Sequence, residues 1–178
     1  VGWAPRGSTK HAELVLSWSD YERKFGGLHS RSVMSYSVSH LFANGGQRAY
    51  IVRLVASETQ TAYAQLDGKL KIEAKNPGEW GADYAVFVKN IQNSQAGDAR
   101  FQLKVARIEL NKAAVVVETF ENISMSPSSP RYIESVLENQ STLVNGIPIN
   151  GATNPPSDIV IPPNKPDGSP GDIPAAAR

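Results

Sequence analysis

Cysteine is absent from all 178 residues. That excludes disulfides, thiol chemistry and cysteine-ligated metals, and it suits a chain folded in a reducing cytosol. Long apolar runs are absent as well. Nothing approaches the roughly 20 consecutive residues a membrane span requires, so no membrane insertion is expected. The chain opens without an initiator Met and without a charged segment leading into an apolar one. The expectation is a fragment or processed chain with no secretory signal. A charge imbalance is also missing. The net charge of +1, from 18 Lys and Arg against 17 Asp and Glu, gives no field that points to nucleic acid or an anionic surface. Histidine is scarce: only His11, His29 and His40 occur. None has a second ligand at a metal spacing such as H-x-x-x-H, and each is read as a surface or helix-end residue. Serines recur at Ser30, Ser32, Ser35, Ser37 and Ser39, yet no G-x-S-x-G elbow frames them. Their spacing fits the polar face and cap of a helix. The paired glycines Gly26-Gly27 and Gly45-Gly46 are helix stops, not phosphate loops or dinucleotide fingerprints. No catalytic, cofactor-binding or metal residue is assigned, and no enzyme activity or cofactor is expected.

What is present is a helix-stop-helix-stop-strand passage from Ser17 to Ala56. Ser19 and Glu22 have capping-box spacing, which predicts a helix starting at Ser19. Tyr21 and Phe25 lie four apart on one face, and Gly26-Gly27 ends the helix through a left-handed cap. A second helix carries Met34, Val38, Leu41 and Phe42 as its apolar stripe and stops at Asn44-Gly45-Gly46. Alternation through Tyr50, Val52 and Leu54 then predicts a strand. Residues 59–68 read as a polar linker ending in Asp67-Gly68. Four strands follow. Leu70, Ile72 and Ala74 alternate with charged residues in the first. Asn76-Pro77-Gly78-Glu79 fits a type II turn. Tyr84, Val86 and Val88 mark the second strand. Phe101, Leu103 and Val105 mark the third, after a polar loop over residues 90–99. Val115, Val117 and Thr119 mark the fourth. Short strands at this spacing point to a small antiparallel sandwich or barrel.

Ser129-Pro130 predicts a helix start with Pro at the first helical position. Ile133, Val136 and Leu137 form its buried face. Residues 141–144 fit one more short strand. Beyond Asn145 the composition changes: eight of the twelve prolines fall there, and no aromatic follows Tyr132. Such a segment buries little and is expected to be extended or disordered. Asn145-Gly146, Asn150-Gly151 and Asp167-Gly168 add turns. The fold class is therefore α+β. A small α/β unit (strand, two helices, strand) over 1–58 precedes an antiparallel sandwich or barrel over 59–122. A helix and short strand over 123–144 and a Pro/Gly-rich segment over 145–178 complete it.

Five ordered segments resemble contractile bacteriophage tail sheath proteins. They are the opening Val1-Gly2-Trp3-Ala4-Pro5-Arg6-Gly7, the run from Ser17 to Gly27, the run from Phe42 to Arg53, the run from Leu70 to Gly81, and Val117–Ser124 followed by Arg131–Leu137. Together they span most of residues 1–144. The resemblance implies the N-terminal part of a sheath core, a β-sandwich insertion and a return to the core, with the C-terminal half absent. It implies a structural role: subunits polymerise around a tail tube and contract to drive it through a bacterial envelope. The implied partners are other sheath subunits, the tail tube protein, and baseplate and terminator proteins, with no nucleic acid. The implied location is the virion tail or a phage-like particle such as a contractile injection system, after synthesis in the host cytoplasm. In this frame residues 145–178 are a connector to the missing half; a flexible tail is the other reading, and both stay open.

Several residues carry a sharper reading beside a plainer one. Glu118 and Glu121 flank Phe120 and are a carboxylate pair in principle, but strand-edge solvation is the plainer role. Asn122-Ile123-Ser124 and Asn139-Gln140-Ser141 match glycosylation sequons, read here as chance. Trp18 and Trp80 are stacking platforms in principle; more plainly, Trp18 staples a helix start and Trp80 covers the end of the sandwich. Arg6, Arg23, Lys24, Arg48 and Arg53 place positive charge on the α/β unit, available to acidic patches on neighbouring subunits at roughly 0–1 kcal/mol each. The alternative function is a carbohydrate- or surface-binding sandwich module. An exposed patch of Trp80, Tyr84 and Phe87 would favour it, and a pocket of convergent titratable groups would favour an enzyme.

Overall fold

The structure, a computed structural model, describes residues 1–57, 59–91, 99–109 and 113–161. The chain divides into two compact units, Val1–Gln60 with Asn76–Trp80, and Thr61–Lys75 with Gly81–Arg178.

The first unit is α/β. Its elements are β1 (Gly2–Trp3), β2 (Glu13–Val15), α1 (Trp18–Phe25), α2 (Val33–Ala43), β3 (Ala49–Ile51) and β4 (Arg53–Leu54). Strand β1 runs parallel to β4 with Gly2 opposite Arg53, and β2 runs antiparallel to β3. Helix α1 begins one residue earlier than the capping-box spacing suggests. Ser17 is the cap, and its Oγ accepts from the Asp20 N–H at 3.0 Å. Asp20 takes the reciprocal place expected of Glu22, accepting from the Leu16 N–H. Gly26 ends the helix at φ 95°, where a Cβ would be strained. Trp18, Tyr21 and Phe25 stack in a ladder with ring centroids 5.3 and 5.2 Å apart. Ala4, Val15, Tyr21, Phe25, Met34, Val38 and Ile51 form the core.

Two expectations fail in this unit. On α2, Met34 and Val38 are buried as expected, but Leu41 is exposed and Ser35 is buried. In β3 and β4 the phase is inverted. Tyr50 and Leu54 face solvent, while Ile51 and Arg53 are buried. An arginine rarely goes inside without a partner, and Arg53 finds its partners in main-chain carbonyls.

The second unit is a sandwich. The chain from Tyr63 to Leu66 is a strand, β5, not a linker. Asp67 and Gly68, both at positive φ, turn it into β6 (Leu70–Ala74). Strands β7 (Tyr84–Asn90), β8 (Arg100–Arg107) and β9 (Val115–Ser124) follow, then α3 (Ile133–Gln140), β10 (Val144–Pro148) and β11 (Ile159–Ile161). One sheet has the order β10-β6-β5 and the other β11-β7-β8-β9. Both contribute to one core. Leu66, Leu70, Ile72 and Val144 from the first sheet join Val86, Val88, Phe101, Leu103, Val105, Phe120 and Ile123 from the second. Ile133, Val136 and Leu137 of α3 pack in this same core, so α3 is part of the sandwich unit.

Other details depart from the sequence reading. The helix expected at Ser129-Pro130 starts at Ile133, because residues 126–132 close consecutive turns and Tyr132 is held extended by a bridge to Ser124. The strand expected over 141–144 runs from Val144 instead. Gly146 lies inside it, opposite Ile72, where a Cβ would meet Leu137 at 2.8 Å and Ile133 at 2.9 Å. Glycine there admits α3 onto the sheet and makes no turn. Asn76–Glu79 is not a type II turn. Gly78 has φ 131° and its N–H donates to the Gln60 carbonyl. In the part of the proline-rich segment that is described, residues 145–161, the extended chain includes β-structure: β10 pairs with β6, and β11 pairs with β7. Asn150 and Gly151 do make a left-handed turn. The expected loop over 90–99 and the Asp167-Gly168 turn lie largely or wholly outside the described residues.

Candidate functional site

The side chain that organises the α/β unit is Arg53. It is 3% exposed, and among the described residues it has no carboxylate partner. Its guanidinium donates Nε to the Ala4 carbonyl at 2.8 Å, Nη1 to Gly7 at 2.9 Å, and Nη2 to Pro5 at 3.0 Å and Pro77 at 2.9 Å. A planar fork with fixed donor directions suits four carbonyls in a way a lysine cannot. Burial lowers its pKa from the usual value, but an arginine stays charged. Arg53 is therefore not available to acidic patches on a neighbour; it ties the opening segment and the Asn76–Trp80 excursion into one body.

A second polar device lies between the two helices. Tyr21 Oη and Ser35 Oγ are 2.8 Å apart, Ser35 Oγ donates to Ser32 Oγ at 2.8 Å, and Ser32 Oγ donates to the Trp3 carbonyl. Ser32 Oγ also caps α2 by accepting from the Ser35 N–H. Ser32 and Ser35 are thus buried in the unit and not on a solvated face. Burial raises the Tyr21 pKa, and the Ser35 and Ser32 hydroxyls act against that rise, so tyrosine stays a neutral donor in this chain.

The outside of the same unit exposes apolar side chains. Val1, Arg31, Val33, Leu41 and Tyr50 line a groove of about 710 Å³. Val33 is 81% exposed and Tyr50 67%. Arg31 covers one wall by lying 4.9 Å over the Trp3 ring. Apolar surface gathered this way marks an interaction face more often than a solvated one.

Most of the remaining singled-out residues have structural partners. His11 contacts Glu13 at 2.9 Å. His29 packs edge-on against Trp3, and His40 is exposed near the end of α2. Among the described residues no group of three His, Cys, Asp or Glu is placed to hold a metal. Glu118 accepts from Ser141 Oγ, Thr142 N–H and Thr142 Oγ1 at 2.6–2.8 Å, fastening the α3–β10 connection. Glu121 accepts from Gln102. The two carboxylates therefore serve separate structural contacts. Trp18 is the first residue of α1 and stacks on Tyr21. Trp80 belongs to the α/β unit and donates Nε1 to the Asn76 carbonyl. Arg6 lies across the end of α1, donating to the Glu22 and Arg23 carbonyls. Lys24 reaches the Leu14 carbonyl, Arg23 pairs with Asp20, and Arg48 is exposed. Tyr84 packs on the sandwich core. Phe87, at odd spacing on the same strand, points to the opposite face. Tyr84 and Phe87 therefore share no face of their sheet.

Two solved structures are similar to the chain over nearly its whole length. A sheath tail protein from Listeria innocua matches with a TM-score of 0.58 and 16% identity, over 96% of this chain and 33% of its own. A sheath tail protein from Desulfitobacterium hafniense matches with a TM-score of 0.50 and 15% identity, over 94% of this chain and 34% of its own. The chain thus spans about a third of the length of these proteins. No family model and no curated protein matches the sequence. Similarity at this identity concerns architecture, and the architecture of this chain is that of a phage tail sheath-like protein.

Proposed function

We propose that the chain is part of a structural subunit of a contractile tail sheath, in a phage or a phage-like particle. The observation that carries this reading is the match of both units, in order, to sheath tail proteins over 94–96% of the chain. In this reading the α/β unit is part of the sheath core and the sandwich is its projecting module. The full subunit packs against copies of itself around the tail tube, between baseplate and terminator proteins. Contraction then drives the tube through the envelope by cooperative repacking of those contacts. The exposed groove beside Val33 and Tyr50 supports the reading, since a unit with this much bare apolar surface is suited to burial against further protein. No role as an enzyme is proposed. The aromatic surface-binding reading gains nothing from Tyr84 and Phe87, which point to opposite faces of their sheet.

Negative-stain electron microscopy of a longer gene product tests this, run beside the 178-residue chain. Sheath-like tubes from the longer protein are expected. Dispersed particles, with or without a tube protein as template, would sink the reading. Val33→Asp with Tyr50→Ser in the longer protein is expected to abolish tubes while leaving monomer melting within about 0.5 kcal/mol per site, as for surface changes.

A further inference from the structure

Asparagine is followed by glycine three times, at Asn44-Gly45, Asn145-Gly146 and Asn150-Gly151. Each pair holds the parts of one reaction. The side-chain amide carbon is an electrophile, and the next backbone nitrogen is a nucleophile. Glycine lacks the Cβ that would crowd their approach. The reaction needs an N–H that can lose its proton, an amide free to swing, and room for water. The fold treats the three pairs differently on each count.

At the end of α2 both reacting groups are held. Asn44 Nδ2 donates to the His40 carbonyl at 2.7 Å, and the Gly45 N–H donates to the Phe42 carbonyl at 3.2 Å. In β10 the backbone is clamped. Asn145 is paired with Glu73 and Gly146 with Ile72, and Gly146 is buried under the Leu137 and Ile133 side chains. The third pair is open. Asn150 and Gly151 are both exposed. They are the central residues of a turn closed by the Ala152 N–H on the Ile149 carbonyl at 3.0 Å. Such a closing bond does not engage the central N–H groups. Among the described residues neither the Gly151 N–H nor the Asn150 side chain has a hydrogen-bond partner. Nothing lies within 4 Å of where a Gly151 Cβ would stand.

We propose that Asn150 is a site of spontaneous deamidation, and that the fold protects Asn44 and Asn145 from the same reaction. The Gly151 nitrogen loses its proton to solvent base and attacks Asn150 Cγ. The new N–Cγ bond closes a succinimide ring, the Cγ–Nδ2 bond breaks, and ammonia leaves with a proton taken from water. Water then opens the ring at either carbonyl. One opening gives an ordinary aspartate. The other gives an isoaspartate, in which the main chain runs through the side chain and is one carbon longer. Nothing is oxidised or reduced, and water is the only co-reactant. The product carries a carboxylate where the chain had a neutral amide. It does so in the turn just before Ala152, which packs on the sandwich core, and ahead of β11.

The test is a time course of the 178-residue chain at mildly alkaline pH, folded and in urea, read by tryptic digestion and fragment mass spectrometry. Asn44 lies on the peptide from Ser32 to Arg48, and the fragments of the peptide that begins at Tyr132 separate Asn145 from Asn150. In the folded chain a gain of one mass unit is expected at Asn150. It should appear at least about tenfold faster than at Asn44, where two hydrogen bonds must break first. Asn145 should be slower still, because β10 must open. In urea the three should convert at similar rates. Asn150→Gly, which suits the positive φ of that position, should abolish the early gain on the second peptide. Asn44 or Asn145 converting as fast as Asn150 in the folded chain would overturn the proposal. So would an Asn150 that stays intact while all three convert in urea, or an early gain that survives in Asn150→Gly. The sheath reading rests on the fold and is independent of each outcome.

Discussion

In the sandwich, side chains from two sheets and a helix fill one continuous apolar core. In the α/β unit the apolar core is much smaller, and the interior also holds a charged guanidinium and a row of hydroxyls. The two units are accordingly held together in different ways. Apolar burial is non-directional and tolerates small shifts, with a stabilisation that grows with area. Hydrogen bonds to a buried guanidinium are directional, and losing one leaves a partner unsatisfied. The sandwich is thus stabilised by bulk and the α/β unit by position. A unit of the second kind, with an apolar groove on its outside, is suited to completion by further protein.

The largest effect is expected where bulk dominates. Phe101 is fully buried, and Phe101→Ala should cost about 3–5 kcal/mol through lost burial and the cavity left behind. All three tryptophans, Trp3, Trp18 and Trp80, belong to the α/β unit. Urea unfolding followed by tryptophan fluorescence therefore reports on that unit, while far-ultraviolet circular dichroism reports on both. The dichroism transition should move to lower urea and the fluorescence transition should move less. Identical displacement of both would mean the chain melts as one body, and the contrast between the units would have no consequence for stability.

Arg53 tests the other side. Arg53→Met removes the donor to four carbonyls, and each one left buried without a partner costs about 1–3 kcal/mol. Removal of a desolvated charge offsets part of this, so a net loss of about 2–3 kcal/mol is expected, read by fluorescence. Arg53→Lys should recover little, since a single ammonium cannot fork to four acceptors. Full recovery by lysine would show that charge, not directionality, is what the site requires.

The hydroxyl row gives a finer measure. Tyr21→Phe and Ser35→Ala should each cost about 1 kcal/mol. As direct partners they should be non-additive by about 0.5 kcal/mol or more in a double-mutant cycle. Strict additivity would mean that the row does not act as a unit. Ser17→Ala removes the cap of α1, again for about 1 kcal/mol.

The smallest effect is acidic. Burial works to raise the Asp20 pKa, but the hydrogen bond from Leu16 and the Lys24 and Arg23 charges outweigh it and hold the pKa below the usual value. A carboxyl depressed in the folded state contributes stability above its unfolded pKa of about 3.9. That contribution is lost as pH falls through the lower folded value. Asp20→Asn should therefore flatten the melting temperature against pH between about pH 5 and pH 2. An unchanged slope would place the acid sensitivity elsewhere.

The parts of the fold that were legible in sequence are those where local pattern and burial agree. Leu70, Ile72 and Ala74 alternate with charges and are buried in that phase. Tyr21 and Phe25 sit four apart and are buried together. The parts that were not legible depend on partners far along the chain. The carbonyls that satisfy Arg53 are 24 to 49 residues away, so nothing beside it marks it as an inner residue. Ser35 is indistinguishable by type from Ser37, yet one meets Tyr21 and the other returns to the Val33 carbonyl. Strands β10 and β11 hide among prolines and glycines because their pairing partners, β6 and β7, lie tens of residues earlier.

The excursion of Asn76–Trp80 has a consequence for how such a chain can be cut and recombined. The backbone leaves the first unit after Gln60, returns to it at Asn76, and leaves again after Trp80. Neither unit is one uninterrupted stretch. A single breakpoint between genes cannot exchange one unit whole: a cut at residue 60 strands the Arg53 fork without Pro77, and a cut after residue 80 carries β5 and β6 away from their sheet. These units should travel through recombination as an inseparable pair, and variation should accumulate as insertions at loop tips and not as exchanged modules.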